Sequence, residues 1–263
     1  MKTPLNIAVL GASGRMGLAL IRNINSADHL SLAAALVRRD SDDLGRDVGE
    51  LAGIGTLGVA ASAELSAAEV LIDFSTPATT AEWAARCADQ GVAMLSGTTG
   101  LAPEHHAALA SAAGSVPVLW APNTSRGVAV LSRLVELAGQ SLGMDADVEI
   151  AEAHHRYKKD SPSGTALALG ERVARARGQS FSEVVNAQRS GPDAARQPGE
   201  IGISAIRAGD IVGEHTVTFG LDGERIEITH RAASRDAFVN GALHAAAWLA
   251  RQPPGLYAFS DSL

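Results

Sequence analysis

Aromatic residues make up only 4% of this 263-residue chain, and it has a single cysteine, Cys87. So few rings give no stacking platform for nucleic-acid bases. A lone thiol closes no internal disulfide. Positive charge is also in deficit, with 22 Lys and Arg against 29 Asp and Glu and a net charge of -7, the wrong sign for a binder of phosphate backbones. No apolar run reaches the roughly 18 residues that a membrane-spanning helix needs, and there is no repeat or low-complexity tract. The opening MKTPLNIAVLG enters a strand pattern at once, with no cleavable signal region. What remains is 46% apolar and 19% charged residues, the balance of a soluble globular protein. The length suits one or two domains, and two are expected. The expected location is the cytoplasm, with no nucleic-acid or membrane partner.

The first half alternates strand and helix patterns. NIAVL (6 to 10) is a short apolar run, followed by GASGRMG and then by LALIRNI, whose apolar residues recur at helical spacing. Gly11, Gly14 and Gly17 form a G-x-x-G-x-x-G variant of the dinucleotide fingerprint. Gly11 would permit the tight turn, Gly14 the approach of backbone to a pyrophosphate, and Gly17 the packing of helix on strand. The helix N-terminus would face the phosphates. A second strand, SLAAALV, ends at Val37, and Val37-Arg38-Arg39 then occupies the place where a ribose-binding carboxylate usually lies. Arginine suits the 2′-phosphate of NADP, so NADPH is expected to be preferred over NADH. Strands are expected over EVLIDF, VAMLSGTTG and VPVLWAPNTS, with helices over TTAEWAARCADQ and PEHHAALASAAG. This alternation predicts a parallel, doubly wound sheet with helices on both faces. Its ligand loops would be STP (75 to 77), GTTG (97 to 100) and APNTS (121 to 125). His105 and His106, early in a polar helix, are read as solvated.

The second half changes character. RGVAVLSRLVELAG reads as an amphipathic helix, and DVEIAEAHH, IGISAIR, GEHTVTFG and RIEITHR as strands with a hairpin turn at LDGE. A mostly antiparallel sheet is expected there, in an α+β domain inserted into the α/β domain. The closing helix SRDAFVNGALHAAAWLARQ would return to the first domain. The expected division is 1–125 plus 235–263 for the dinucleotide-binding domain and 126–234 for a domain that binds substrate and forms oligomers, with a cleft between them.

Cations concentrate in EAHHRYKKDSPSGTA, residues 152 to 166. Ser161 before Pro162 predicts a helix start ahead of ALALGERVARA, with N–H groups near Ser163, Gly164 and Thr165 able to bind a carboxylate. His154, His155 and Lys158 supply titratable protons beside it. With neither H-E-x-x-H nor a Cys/His cluster, no metal site is expected.

Taken in order, VLGASGRMG, SGTTG, APNTS, EAHHRYKKDSPSGTA, RAGDIVGEHTVTF and SRDAFVNGA resemble the 4-hydroxy-tetrahydrodipicolinate reductase (dihydrodipicolinate reductase) family over nearly the whole chain. The E-x-H-H-x-x-K-x-D-x-P-S-G-T-A block is its most discriminating piece. The resemblance implies hydride transfer from NAD(P)H to a cyclic dicarboxylate hydroxy-imine with loss of water, in lysine and diaminopimelate biosynthesis. It also implies a homotetramer built through the second domain's sheet. Carried over, Gly11, Ala12, Ser13, Gly14, Arg15 and Met16 resemble the pyrophosphate loop. Gly97, Thr98 and Thr99, with Ala121, Pro122, Asn123 and Thr124, resemble the nicotinamide-side loops. His154 and Lys158 resemble the catalytic pair, His155 a substrate contact, and Gly164 and Thr165 the carboxylate-binding turn. Three positions depart from the family pattern: Val37 stands where an acidic residue is common, Thr124 where an aromatic is common, and Tyr157 where another histidine often occurs. The rival readings are another NADP-dependent dehydrogenase of small carboxylates and an NADP-binding sensor without catalysis. A thioester mechanism would need an active cysteine, and Cys87 falls within a predicted helix, away from every cofactor loop.

Overall fold

The computed structural model describes residues 3–263, and Cα packing divides it into two compact units. Unit 1 comprises the described residues up to Arg126 together with Asp236–Leu263; unit 2 is Gly127–Arg235.

Unit 1 begins with β1 (Leu5–Leu10), α1 (Arg15–Asn25), β2 (Leu30–Leu36), α2 (Val48–Ala52), β3 (Ala61–Ser62), β4 (Val70–Asp73), α3 (Pro77–Gln90), β5 (Ala93–Ser96), α4 (Pro103–Ala112) and β6 (Pro117–Trp120). Local chemistry sets several of these limits. Pro77 and Pro103 each open a helix, where the missing N–H costs nothing. Gly91 closes α3 in the left-handed conformation. The short α2, unforeseen in the sequence, exists because the Asp47 carboxylate accepts from the backbone N–H groups of Gly49, Glu50, Leu57 and Gly58.

Unit 2 follows with α5 (Arg126–Leu142), whose first residue still belongs to unit 1, then β7 (Asp147–His154), α6 (Gly164–Ala176), α7 (Phe181–Val184), β8 (Val185–Asn186), β9 (Ile201–Arg207), β10 (Gly213–Leu221) and β11 (Glu224–Ala232). The chain then re-enters unit 1 as α8 (Asp236–Leu249) and β12 (Gly255–Ala258).

The unit 1 sheet has the order β12-β6-β5-β4-β1-β2-β3, with every pairing parallel. β4 and β5 are buried throughout and β1 over its last four residues, as strands covered on both faces must be. Trp83 and Cys87 of α3 and Leu109 of α4 pack on Ala8, Leu10, Leu71, Met94 and Val118. α1 and α8 pack on β1, β4 and β5. Two edge strands, β3 and β12, were not legible in the sequence: one is two residues long and the other follows a Pro-Pro pair. The chain proceeds outward from β1 through β2 to β3, then from β4 through β5 and β6. The loops after β1 and β4 therefore flank the point where the strand order reverses, the place where such sheets bind ligands.

The unit 2 sheet, β11-β10-β7-β9-β8, is mixed. β10 pairs antiparallel with β11 and β7; β9 pairs parallel with β7 and β8. Leu131 and Val135 of α5 and Ala166, Leu169 and Val173 of α6 cover one sheet face through Val148, Ile150, Ile203, Val217 and Phe219. The other face is open, carrying exposed Ile206 and the hydrogen-bonded pair Thr216 and Thr229.

Candidate active site

In unit 1 the sequence between β1 and α1 forms the expected turn. Gly11 has φ +78°, and a Cβ at Gly17 would fall 2.2 Å from the Gly11 carbonyl oxygen, so both positions need glycine. The N–H groups of Gly11 and Ala12 donate to the Leu36 carbonyl, and that of Gly14 to the Gly11 carbonyl. Arg15 and Met16 lead α1, whose first-turn N–H groups have no intrahelical acceptor and suit an anion.

Beside this turn lies a cavity of about 580 Å³, lined among others by Gly11, Ser13, Gly14, Arg38, Arg39, Phe74, Ser75, Thr79, Trp83 and Arg86. The Arg86 guanidinium stands 4.7 Å from the Trp83 ring centre. Arg38 and Arg39 are paired with Asp40 and Glu64, but their side chains are 78% and 74% exposed. Such surface pairs are worth about 0–1 kcal/mol, so neither holds its guanidinium away from a phosphate. The volume, the glycine turn and the two arginines fit a dinucleotide.

Gly97, Thr98 and Thr99 follow β5, and Ala121, Pro122, Asn123 and Thr124 follow β6. The Trp120 Nε1–H donates to the Thr98 carbonyl at 3.0 Å, joining the two loops. Under them lies Asp73, fully buried, which sequence reasoning missed. Its carboxylate accepts from the hydroxyls of Ser75, Thr80, Ser96 and Thr98 at 2.5, 2.6, 2.7 and 3.0 Å and from the Ser75 N–H at 2.9 Å. The Thr98 hydroxyl therefore points into the protein. So does that of Thr124, which donates to the Phe238 carbonyl of α8 at 2.7 Å; both hydroxyls are directed away from the loop surface.

Three expectations are corrected here. Helix α6 begins at Gly164, with Ser163 and not Ser161 as its cap, because the Ser163 Oγ accepts from the Ala166 N–H. The Ser163 N–H is not available to a ligand, since it donates to Glu152 Oε1 at 3.0 Å. His105 and His106 are half-buried: the first accepts the Ala102 N–H at its Nδ1 and caps α4, and the second packs edge-on against Trp120.

Unit 2 gathers the titratable groups. Glu152 and His154 lie two residues apart on β7, hence on one face. Glu152 Oε2 meets His154 Nδ1 at 2.6 Å, and Arg207 of β9 reaches both carboxylate oxygens at 2.8 and 2.7 Å. Burial works to raise the Glu152 pKa, but the hydrogen bonds from Arg207, His154 and Ser163 outweigh it and hold the carboxyl below its usual range. Burial pulls His154 down, and Glu152 opposes it. His215 of β10, buried at 3% exposure with its Nε2 3.1 Å from the Ser163 hydroxyl, is pushed down by burial to about 4. The Lys158 ammonium sits between the Asp160 carboxylate oxygens at 3.0 and 2.8 Å. His155 Nδ1 is buried without a hydrogen-bond partner among the described residues. Gly164 is exposed at the start of α6 and Thr165 partly so. Sequence reasoning placed His154 and Lys158 in one stretch, but passed over Glu152, Arg207 and His215 as site residues, although the E-x-H spacing on a strand was a usable signal.

A parallel dinucleotide-type sheet with a glycine turn, and a second sheet bearing cations and proton-exchanging groups, define a nicotinamide-dependent oxidoreductase of a small anionic substrate. The family models "Dihydrodipicolinate reductase, N-terminus" and "Dihydrodipicolinate reductase, C-terminus" match residues 5–124 and 127–263. The 4-hydroxy-tetrahydrodipicolinate reductase of Alkalilimnicola ehrlichii is 50% identical over 98% of each chain, and that of Halorhodospira halophila 48% identical over 98% of each. The solved dipicolinate-bound dihydrodipicolinate reductase of Paenisporosarcina sp. TG-14 shares the fold, with TM-score 0.78 and 22% identity over 99% of this chain and 100% of that one. The chain belongs to the dihydrodipicolinate reductase family. Its reaction is the reduction of 4-hydroxy-tetrahydrodipicolinate to tetrahydrodipicolinate in lysine and diaminopimelate biosynthesis. No helix among the described residues is long and apolar enough to cross a membrane.

Proposed function

We propose a division of labour in which unit 1 holds the nicotinamide cofactor and unit 2 binds the dicarboxylate and manages its protons. The observation that carries this reading is the unit 2 cluster: a carboxylate-held imidazole, His154, on the same β7-to-α6 stretch as the Lys158 ammonium and a helix N-terminus. A dianion calls for cations and N–H donors, and the electron-rich centre left by reduction calls for a proton.

When bound, the reduced nicotinamide supplies the hydride. Lys158 delivers the proton, and His154 polarises the substrate or relays that proton. His155 contacts the substrate, and Gly164 and Thr165 at the start of α6 receive a carboxylate, favoured by the positive end of the helix dipole. On the cofactor side, Gly11 to Met16 cradle the pyrophosphate, the loops at Gly97 to Thr99 and Ala121 to Thr124 flank the nicotinamide, and Arg38 takes the 2′-phosphate of NADPH. Asp160 is ion-paired with Lys158 before substrate arrives, so substrate binding replaces one anion with another. The open face of the unit 2 sheet, with Ile206 and the Thr216–Thr229 pair, supports assembly as a homotetramer through that surface.

Dipicolinate, held by the Paenisporosarcina neighbour, carries two carboxylates on a six-membered nitrogen ring and serves as a probe. Titration calorimetry of the NADPH complex should show its affinity falling about tenfold or more in His155→Ala and Lys158→Ala, with no change in NADPH affinity. Unchanged dipicolinate affinity in both variants would overturn the assignment of substrate to unit 2.

A further inference from the structure

Every lone pair of the Glu152 carboxylate has a donor. Oε1 accepts from the Ser163 N–H at 3.0 Å and Arg207 Nη2 at 2.7 Å; Oε2 accepts from Arg207 Nη1 at 2.8 Å and meets His154 Nδ1 at 2.6 Å. A backbone N–H and a guanidinium can only donate, so Glu152 is held as a carboxylate, which can only accept. At 2.6 Å the proton between Glu152 and His154 therefore sits on Nδ1. Neutral His154 must then carry its lone pair on Nε2, the nitrogen directed at Gly213, where an added Cβ would come within 3.1 Å of it.

We propose that Glu152 is the positioning residue of this site: it fixes the Nδ1–H tautomer of His154 and so presents Nε2 as the nitrogen that exchanges protons during turnover. The proposal rests on the reading of His154 as a participant in the proton chemistry. Glu152 reaches three elements at once, His154 on β7, Arg207 on β9 and Ser163 at the cap of α6, so the same carboxylate that orients the imidazole also anchors the turn offered to the substrate carboxylate.

His215 stands edge to face with His154, ring centroids 5.3 Å apart, and is the cross-strand partner of Glu152; the Glu152 charge opposes burial there too, but burial drives His215 down to about 4. The groups facing His154 are Glu152 on its own strand, Lys158 in the following loop, Arg207 on β9 and His215 on β10, with His230 of β11 acting on His215 from behind. Burial, Lys158 and Arg207 all favour the neutral ring, and Glu152 alone among these pulls the other way. The carboxylate thus opposes, at His154, the burial that holds both rings below the usual imidazole range. Replacing the carboxylate behind a proton-exchanging histidine with an amide reverses the tautomer and can cost on the order of 10⁴ in rate.

The test combines nitrogen NMR with kinetics. In protein labelled with ¹⁵N-histidine, the His154 signals, identified by their loss in His154→Gln, should show a protonated Nδ1 and an unprotonated Nε2 at alkaline pH. An Nε2–H tautomer in the unaltered protein overturns the proposal without any variant having to fold. Glu152→Gln should move the proton to Nε2, lower kcat tenfold or more, and shift the pH limb belonging to His154 to lower pH; Glu152→Asp should recover part of the rate. A folded Glu152→Gln that keeps the tautomer and the pH limb overturns the positioning role, even if it melts at lower temperature. Wild-type turnover by His154→Gln would instead remove the underlying reading of His154, and the proposal would fall with it while the tautomer of the unaltered protein still reports on Glu152.

Discussion

The Ser163 hydroxyl that caps α6 also meets Nε2 of the buried His215, 3.1 Å away. One serine thus ties the start of α6 to an imidazole that the fold keeps neutral. Because the folded-state pKa of His215 is about 4 and the unfolded value is near 6.5, the unfolded chain takes up the proton first as pH falls. Stability is therefore complete above about pH 6.5 and declines toward pH 4; Glu152, whose pKa is lowered, adds a further loss only below its unfolded value near 4.5. Urea unfolding at pH 7 and pH 5 should show the His215 share as about 2 kcal/mol of lost stability. In His215→Gln the loss over this interval should be smaller by about that amount. An equal loss in both proteins would mean that His215 is not held neutral.

Arg38 and Arg39 line the unit 1 cavity with exposed guanidinium groups. Replacing both with alanine should raise KM for NADPH about tenfold or more, the worth of a charge-assisted hydrogen bond or two, and leave KM for NADH nearly unchanged. Steady-state rates with each cofactor check this. A parallel rise for both cofactors would show that the arginines do not read the 2′-phosphate.

Asp73 gathers four hydroxyls below the loops that follow β4 and β5. Asp73→Ala should strand those hydroxyls in a dry site and lower stability by about 3 kcal/mol or more. If the unit 1 cavity holds the cofactor as proposed, the substitution should also weaken NADPH binding, since Ser75 lines that cavity. Asp73→Asn keeps one acceptor oxygen and should fall between. Thermal melting with calorimetric NADPH binding would show it; an Asp73→Ala protein with unaltered melting and binding would contradict it.

The parallel sheet was legible because its strands are continuous apolar runs separated by helical periodicity, and the glycine turn because only glycine fits at 11 and 17. The edge strands β3 and β12 escaped notice because two to four residues carry no period. His154 and Lys158 could be picked out as titratable groups crowded before a helix start. Glu152, Arg207 and Asp73 could not be assigned roles from spacing alone, since a buried carboxylate is defined by what donates to it. In Glu152 the partners lie 55 residues away at Arg207 and 11 away at Ser163. Ser161 was mistaken for the helix cap because serine before proline is a common helix start; the carboxylate that claims the Ser163 N–H places the start two residues later.

The most direct measurement is the steady-state oxidation of NADPH, followed by absorbance, with the freshly made condensation product of pyruvate and aspartate semialdehyde, for the unaltered protein beside Lys158→Ala. If Lys158 is the proton donor, kcat falls by about a hundredfold or more while KM for NADPH stays within about twofold. A Lys158→Ala protein that turns over at the unaltered rate, or that loses only its affinity for NADPH, would contradict the assignment of proton chemistry to unit 2.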